Sequence, residues 1–137
     1  MQTNPYLLFN GQCEAAFKFY EKCLNGKIDA MMTFEGTPAA SHVPGEWRKK
    51  ILHASLTLPD NQVLMGSDPP PGNYEPPKGF SVAINTKNAD EAERIFNALS
   101  ESGTVKMPIQ QTFWADRFGM LVDRFGTPWM VNCPKAA

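Results

Sequence analysis

Residues 6–9, Tyr-Leu-Leu-Phe, make a short apolar run that Gly11 interrupts, which predicts a brief buried strand. Apolar positions then recur at helical spacing. Ala16, Phe17, Tyr20, Cys23 and Leu24 fall on one stripe, while Glu14, Lys18, Glu21 and Lys22 lie off it. Asn25-Gly26 predicts the end of that helix, because both residues tolerate the left-handed backbone that closes one. Strand-like segments follow at 27–34, 51–58 and 62–66, with an irregular excursion over 35–50. The first part of the chain therefore reads β-α-β-β-β.

Residues 68–79 hold Pro69, Pro70, Pro71, Pro76 and Pro77 together with Gly72, a composition that excludes helix and central strand and predicts a connection. Beyond it, 80–85 reads as a strand. Asn88 can cap a helix whose apolar stripe is Ala89, Ala92, Ile95, Phe96 and Leu99, and Gly103 ends it. Strands at 104–109, 119–123 and 128–133 complete the same order of elements. The expectation is one α+β domain made of two β-α-β-β-β modules, residues 1–68 and 79–137, joined by a Pro-rich connection at 69–78. A sharper local repeat also appears. Asp116-Arg117-Phe118-Gly119 recurs as Asp123-Arg124-Phe125-Gly126, and the later copy reads as a hairpin turn, with Asp123 accepting backbone N–H bonds and Gly126 taking a positive φ.

With 137 residues, the chain can bury roughly two-thirds of its unfolded surface without disulfides. Hydrophobic residues at 42% and charged residues at 20% are ordinary for a globular protein and too apolar for disorder. The net charge of -1 leaves no field that would gather phosphate backbones, so nucleic acid is not an expected partner. Cys13, Cys23 and Cys133 form no CxxC pair and follow no basic-then-apolar leader, which makes the cytoplasm the expected location. No apolar run approaches the ~20 residues a membrane span needs.

Several stretches resemble the PhnB-like branch of the glyoxalase/bleomycin-resistance/dioxygenase (vicinal oxygen chelate) superfamily. They are Pro5-Tyr6-Leu7-Leu8-Phe9-Asn10-Gly11 with Ala16-Phe17-Lys18-Phe19-Tyr20, then Ile51-Leu52-His53-Ala54-Ser55-Leu56, Met65-Gly66-Ser67-Asp68, and 107–132 with its Phe113-Trp114-Ala115-Asp116-Arg117-Phe118-Gly119 core. The resemblance implies half-barrel modules around a cavity, with helices on the convex side. It also implies a homodimer in which modules of two chains can complete each other's cavities.

In metal-dependent members of that superfamily, the ligands come from the first and last strands of each module. Those strands here, 6–10, 63–67, 80–85 and 129–133, contain no His, Asp or Glu; Asn10, Asn85, Asn132, Ser67 and Cys133 are their polar candidates. Neutral amides without anionic partners are poor ligands for a transition metal, so no metal and no other cofactor is expected.

Alternation through 51–58 puts His53, Ser55 and Thr57 on one face and Leu52, Ala54, Leu56 and Leu58 on the other. If the apolar face lies under the helices, His53 looks into the cavity as an acid, a base or an orienting group. Trp114, Asp116 and Arg117 precede a strand, where a loop can frame a cavity mouth: Arg117 to hold an anion, Trp114 as a flat wall, or Asp116 and Arg117 simply as a pair. The candidate set is therefore His53 as the catalytic residue, with Ser55, Trp114, Asp116, Arg117 and Asn132 touching the ligand. Most of the methionines read as core, some as cavity lining, and the cysteines as small core residues.

Together these features predict a dimeric, metal-free protein that binds an unidentified small molecule. One alternative is a metal-dependent lyase, isomerase or dioxygenase using a divalent ion held by His53 and Glu35; another is a metal-free enzyme with His53 as general base. Relatives of this type often carry a ubiquinone-methyltransferase label, which is disfavoured here. The chain has neither the Gly-rich loop nor the doubly wound sheet that cradles S-adenosylmethionine.

Overall fold

The apolar stripe of the first helix forms α1, Cys13–Cys23, whose buried face is Cys13, Ala16, Phe17, Tyr20 and Cys23. Asn25 takes the left-handed conformation at φ +53° and stops it, and the Gly26 N–H reaches back to the Glu21 carbonyl. In a computed structural model describing residues 1–136, α1 belongs to a first unit, Met1–Pro76. Its strands are β1 (Tyr6–Leu8), β2 (Lys27–Thr33), β3 (Ile51–Thr57) and β4 (Val63–Ser67), joined in the order β1-β4-β3-β2. β1 runs parallel to β4, and the other pairs are antiparallel. The excursion before β3 contains two short 3-10 turns, Pro38–His42 and Gly45–Trp47.

The second unit, Pro77–Ala137, repeats the plan. Its elements are β5 (Val82–Asn85), α2 (Ala89–Ser100), β6 (Thr104–Gln110), β7 (Ala115–Val122) and β8 (Pro128–Pro134), with sheet order β5-β8-β7-β6. Asn88 caps α2 as expected, its side chain accepting from the Glu91 N–H. Both units are thus α+β, one helix on one face of a four-stranded sheet.

Each core lies between helix and sheet. In the first unit Phe9, Phe17 and Tyr20 are essentially inaccessible and pack as tilted and edge-on aromatic pairs. Burying each such side chain contributes about 1.5–3 kcal/mol. In the second, Ile95, Phe96 and Leu99 of α2 cover Leu121, Trp129 and Val131. The turn after β7 is held by Asp123, which accepts from the Phe125 and Thr127 N–H groups and from Trp129 Nε1 at 2.8–3.0 Å, with Gly126 at φ +92°.

Four readings of the sequence change here. β1 is not a fully buried run, because it alternates: Leu7 and Phe9 point into the core at 2% and 1% exposure, while Tyr6 and Leu8 point out at 46% and 37%. In β3 a bulge against β2, where Met32 pairs His53 and Thr33 pairs Ile51, reverses the phase, so Ile51 is buried and Leu52 is not. β7 starts at Ala115 rather than at 119, which puts Asp116 and Arg117 within the strand and not in a loop before it. Asp68 is no part of a solvent-exposed connection. It is fully buried and accepts from the N–H groups of Gly11, Cys13 and Ile51. A distant carboxylate therefore satisfies the N-terminus of α1, whose own preceding residue, Gln12, provides no side-chain cap.

Candidate functional site

The faces turned away from the helices carry the uncommitted chemistry. On the first sheet, His53, Ser55 and Thr57 project from β3 away from the buried Ala54 and Leu56. Cross-strand register puts Tyr6, Met65 and Ser55 in one row and Met32 beside His53. Tyr6 reaches across β4 to His53: its Oη lies 3.0 Å from Nδ1, and the two rings stack with centroids 5.8 Å apart at 26°. Thr57 Oγ1 donates to the Asp29 carboxylate. Exposure of Tyr6, Leu8 and Met32, at 37–51%, leaves this face open.

On the second sheet the open face is more apolar. Ala83, Met130, Met120 and Met107 form one row across all four strands. Asn85, Asn132, Phe118 and Gln110 form the next. Asn132 Nδ2 donates to Asn85 Oδ1 at 3.0 Å, which leaves the Asn132 Oδ1 buried without a partner. Trp114 packs edge-on against Phe118 at 5.5 Å and against Phe113 at 4.8 Å.

Among the residues selected from sequence, His53 and Ser55 share the first open face, and Trp114 meets Phe118, the row neighbour of Asn132, on the second. Arg117 does not join them. A bulge at Asp116 sets Arg117 opposite Cys133, a buried position on the helix side, and its guanidinium reaches Glu93 of α2 at 2.7 Å and the Asp116 carbonyl at 2.6 Å. The hydrogen bond that Arg117 donates to the Glu93 carboxylate holds the Arg117 pKa above its usual value. The carboxylate partner of Arg117 is thus Glu93 and not Asp116. The methionines move the other way. None belongs to the buried core; Met32, Met65, Met107, Met120 and Met130 occupy the open faces.

The donors on these faces do not fit a divalent transition metal. On the first and last strands of each unit, Tyr6, Met65, Ser67, Asn85, Met130 and Asn132 offer hydroxyl, thioether and amide groups with no carboxylate; the Asp29 carboxylate on the first face is engaged by Thr57, and His53 has Nδ1 engaged by Tyr6. Among the described residues, no group of three or more His, Cys, Asp or Glu is placed to hold a metal ion. Glu35 follows β2, where its N–H donates to the Arg48 carbonyl. A groove of about 280 Å³ beside the start of α1 is lined by Glu14 and Glu46 against Lys49 and Lys50, but Asp68 already takes the helix N–H groups there. Burial, reinforced by Asp68 and Glu14, raises the Cys13 thiol far above its ordinary value and keeps it protonated. Among the described residues, no helix is long and apolar enough to cross a membrane.

A family model described as 3-demethylubiquinone-9 3-methyltransferase matches residues 1–132. The chain belongs to this PhnB-like family. Protein YjdN of Escherichia coli is 31% identical, with 98% of this chain and 97% of YjdN covered. The crystal structure of protein PA1353 from Pseudomonas aeruginosa shares 47% identity at a TM-score of 0.89, covering 99% of both chains. A Bacillus cereus structure described as a putative 3-demethylubiquinone-9 3-methyltransferase, PhnB protein, is similar at 21% identity and a TM-score of 0.80, covering 97% of this chain and 99% of its own. The PhnB-like fold is also that of the glyoxalase/bleomycin-resistance/dioxygenase superfamily. A domain of that description from Frankia superposes at a TM-score of 0.65 with 8% identity, over 98% and 95% of the two chains.

Sequence reasoning missed two residues of this PhnB-like chain. Tyr6, the partner of His53, was hidden in a run read as wholly buried, although strict alternation from the core residue Leu7 would have turned it outward. Asp68 looked like the first residue of a Pro-rich connection, and its bonds span 17 to 57 positions, beyond any local pattern.

Proposed function

We propose that this PhnB-like protein binds a small, flat, largely apolar molecule against an open sheet face and does so without a catalytic metal. The methionine row Met107, Met120 and Met130 carries the reading. A sheet builds its core from rigid branched and aromatic side chains. Placing unbranched thioethers on the face opposite the core supplies an adaptable apolar surface with sulfur available to aromatic rings. Trp114 and Phe118 add flat walls and Asn132 a polar contact on that same face, while the first unit's own open face offers the Tyr6–His53 pair as polar contacts. A second copy of the chain facing such a surface would enclose it, which fits the expected homodimer.

The methyltransferase description of the family is a weak guide to chemistry here. Each sheet pairs antiparallel except at one parallel edge pair, so neither is the doubly wound parallel sheet that presents a Gly-rich loop to S-adenosylmethionine. The N–H groups of Gly11 and Cys13 after β1 are consumed by Asp68. The competing reading is a metal-dependent lyase, isomerase or dioxygenase with His53 as a ligand. Elemental analysis of protein purified without chelators or a metal-affinity tag, with thermal shifts in Ni, Zn, Fe and Mn, decides between them. Substoichiometric metal and unchanged melting are expected. About one tightly held metal per chain with a clear upward shift would overturn the proposal in favour of the metal enzyme.

A further inference from the structure

Tyr6 and His53 stand out because nothing in the packing of the first unit requires them. Both sit on the open face, and Tyr6 is 46% exposed. Their strands are separated by β4, so the 3.0 Å contact between Oη and Nδ1 arises only because β1 and β3 flank that strand in register. Stacking at 5.8 Å holds the imidazole plane nearly parallel to the phenol. His53 Nε2 makes no hydrogen bond with any described residue and is not among the buried polar atoms that lack a partner, so it opens to solvent.

The hydrogen bond dictates which nitrogen carries the proton. A phenol is a good donor and a weak acceptor, whereas the bare nitrogen of a neutral imidazole is a good acceptor. The favoured arrangement has Tyr6 O–H donating to Nδ1, which fixes the proton on Nε2. Around it lie Leu8, Met32, Ser55 and Met65, none of them ionisable.

We infer that Tyr6 and His53 form a recognition pair in which Tyr6 is the positioning residue and His53 Nε2–H is a fixed donor to a carbonyl or carboxylate oxygen on a flat apolar ligand. This rests on the reading of the open face as a small-molecule surface. It adds the chemical class: a ring compound bearing a hydrogen-bond acceptor, in preference to the same skeleton without one.

Two measurements test it. In protein labelled with 15N at histidine, the His53 ring resonances report the tautomer directly: Nδ1 appears as the unprotonated nitrogen in the wild type, and Tyr6→Phe shifts the ring toward a mixture of tautomers. A wild-type ring protonated on Nδ1 would overturn the positioning role. Acetophenone and ethylbenzene, which differ by one carbonyl oxygen, are then titrated while backbone amides of β1, β3 and β4 are followed by NMR. The acetophenone-to-ethylbenzene affinity ratio is expected to fall about fivefold in His53→Phe, the worth of one neutral hydrogen bond, with the thermal melt confirming that the variant is folded. Tyr6→Phe should lower the ratio less. Binding of both probes with an unchanged ratio would sink the pair and leave the open-face site standing. Binding of neither at that face would remove the site and the pair together.

Discussion

Replacing Asp68 with alanine should be among the most damaging single changes outside the aromatic core. Its carboxylate is fully buried and is the acceptor for three backbone N–H groups: Gly11 at 2.8 Å, Cys13 at 3.0 Å and Ile51 at 2.9 Å. The Gly11 site is only partly buried, so water can replace the carboxylate there. Those of Cys13 and Ile51 are buried and would lose their partner outright. Leaving a buried donor unsatisfied costs about 1–3 kcal/mol each, so two give a loss of about 2–6 kcal/mol, a large part of the 5–15 kcal/mol that usually holds a domain together. Asp68→Asn should cost less, since one carbonyl oxygen survives while the NH2 group opposes an N–H. The assay is urea unfolding followed by far-UV circular dichroism, with amide exchange of Cys13 and Ile51 as the local readout. A loss below about 1 kcal/mol for Asp68→Ala with an unchanged denaturant slope would refute the argument, because it would mean that water or another group readily serves those donors.

Three further changes probe packing and ionisation. Gly119→Ala would set a Cβ 2.6 Å from the Phe96 ring and 3.0 Å from Ile109 Cα, and Gly66→Ala would meet the Leu7 carbonyl and the Phe17 ring, both at 2.8 Å. Because part of each obstacle is backbone, each variant should lose about 1–3 kcal/mol in the same urea assay; a neutral result would mean that the helix can lift off its sheet at little cost. The raised pKa of Cys13 makes stability fall with alkali. The folded thiol keeps its proton after the unfolded thiol has lost its own, so the contribution is complete below the ordinary cysteine value near 9.0 and is lost as pH rises above it. The slope is about 1.4 kcal/mol per pH unit in that window, and unfolding at pH 7 and pH 10 should show a smaller drop in Cys13→Ala than in the wild type.

Much of the fold was legible because helices and strands here follow simple periods. The stripe from Ala16 to Cys23 and the one from Ala92 to Leu99 are the helix faces that the structure buries, and Asn88 caps as its side chain allows. Errors gathered where a strand departs from regular alternation. The bulge at Asp116 breaks the period of β7, so charged residues in a half-covered strand look like a loop. The methionines misled because hydropathy sorts them with core residues, although their flexibility suits a surface that must fit something else. The outward placement of His53 was visible from alternation, but its contact with Tyr6 lies 47 residues away and depends on β4 standing between the two strands, an order that local sequence does not encode.

Comparing the two units position by position separates scaffold from specificity. The Phe9 N–H donates to the Ser67 carbonyl as the Thr86 N–H donates to the Asn132 carbonyl, which aligns β1–β4 with β5–β8. In that alignment Leu7 corresponds to Ile84, and both point toward the helix side beneath α1 or α2. The open faces diverge: Tyr6 corresponds to Ala83, Ser67 to Asn132, His53 to Phe118, and Ser55 to Met120. Packing against a helix admits few solutions, so the repeat persists where the core demands it. Its loss on the other side leaves a hydrogen-bonding face on the first sheet and a thioether and aromatic face on the second. Neither face is constrained by packing against its own helix, so each unit is free to carry its own surface chemistry while the core side stays alike.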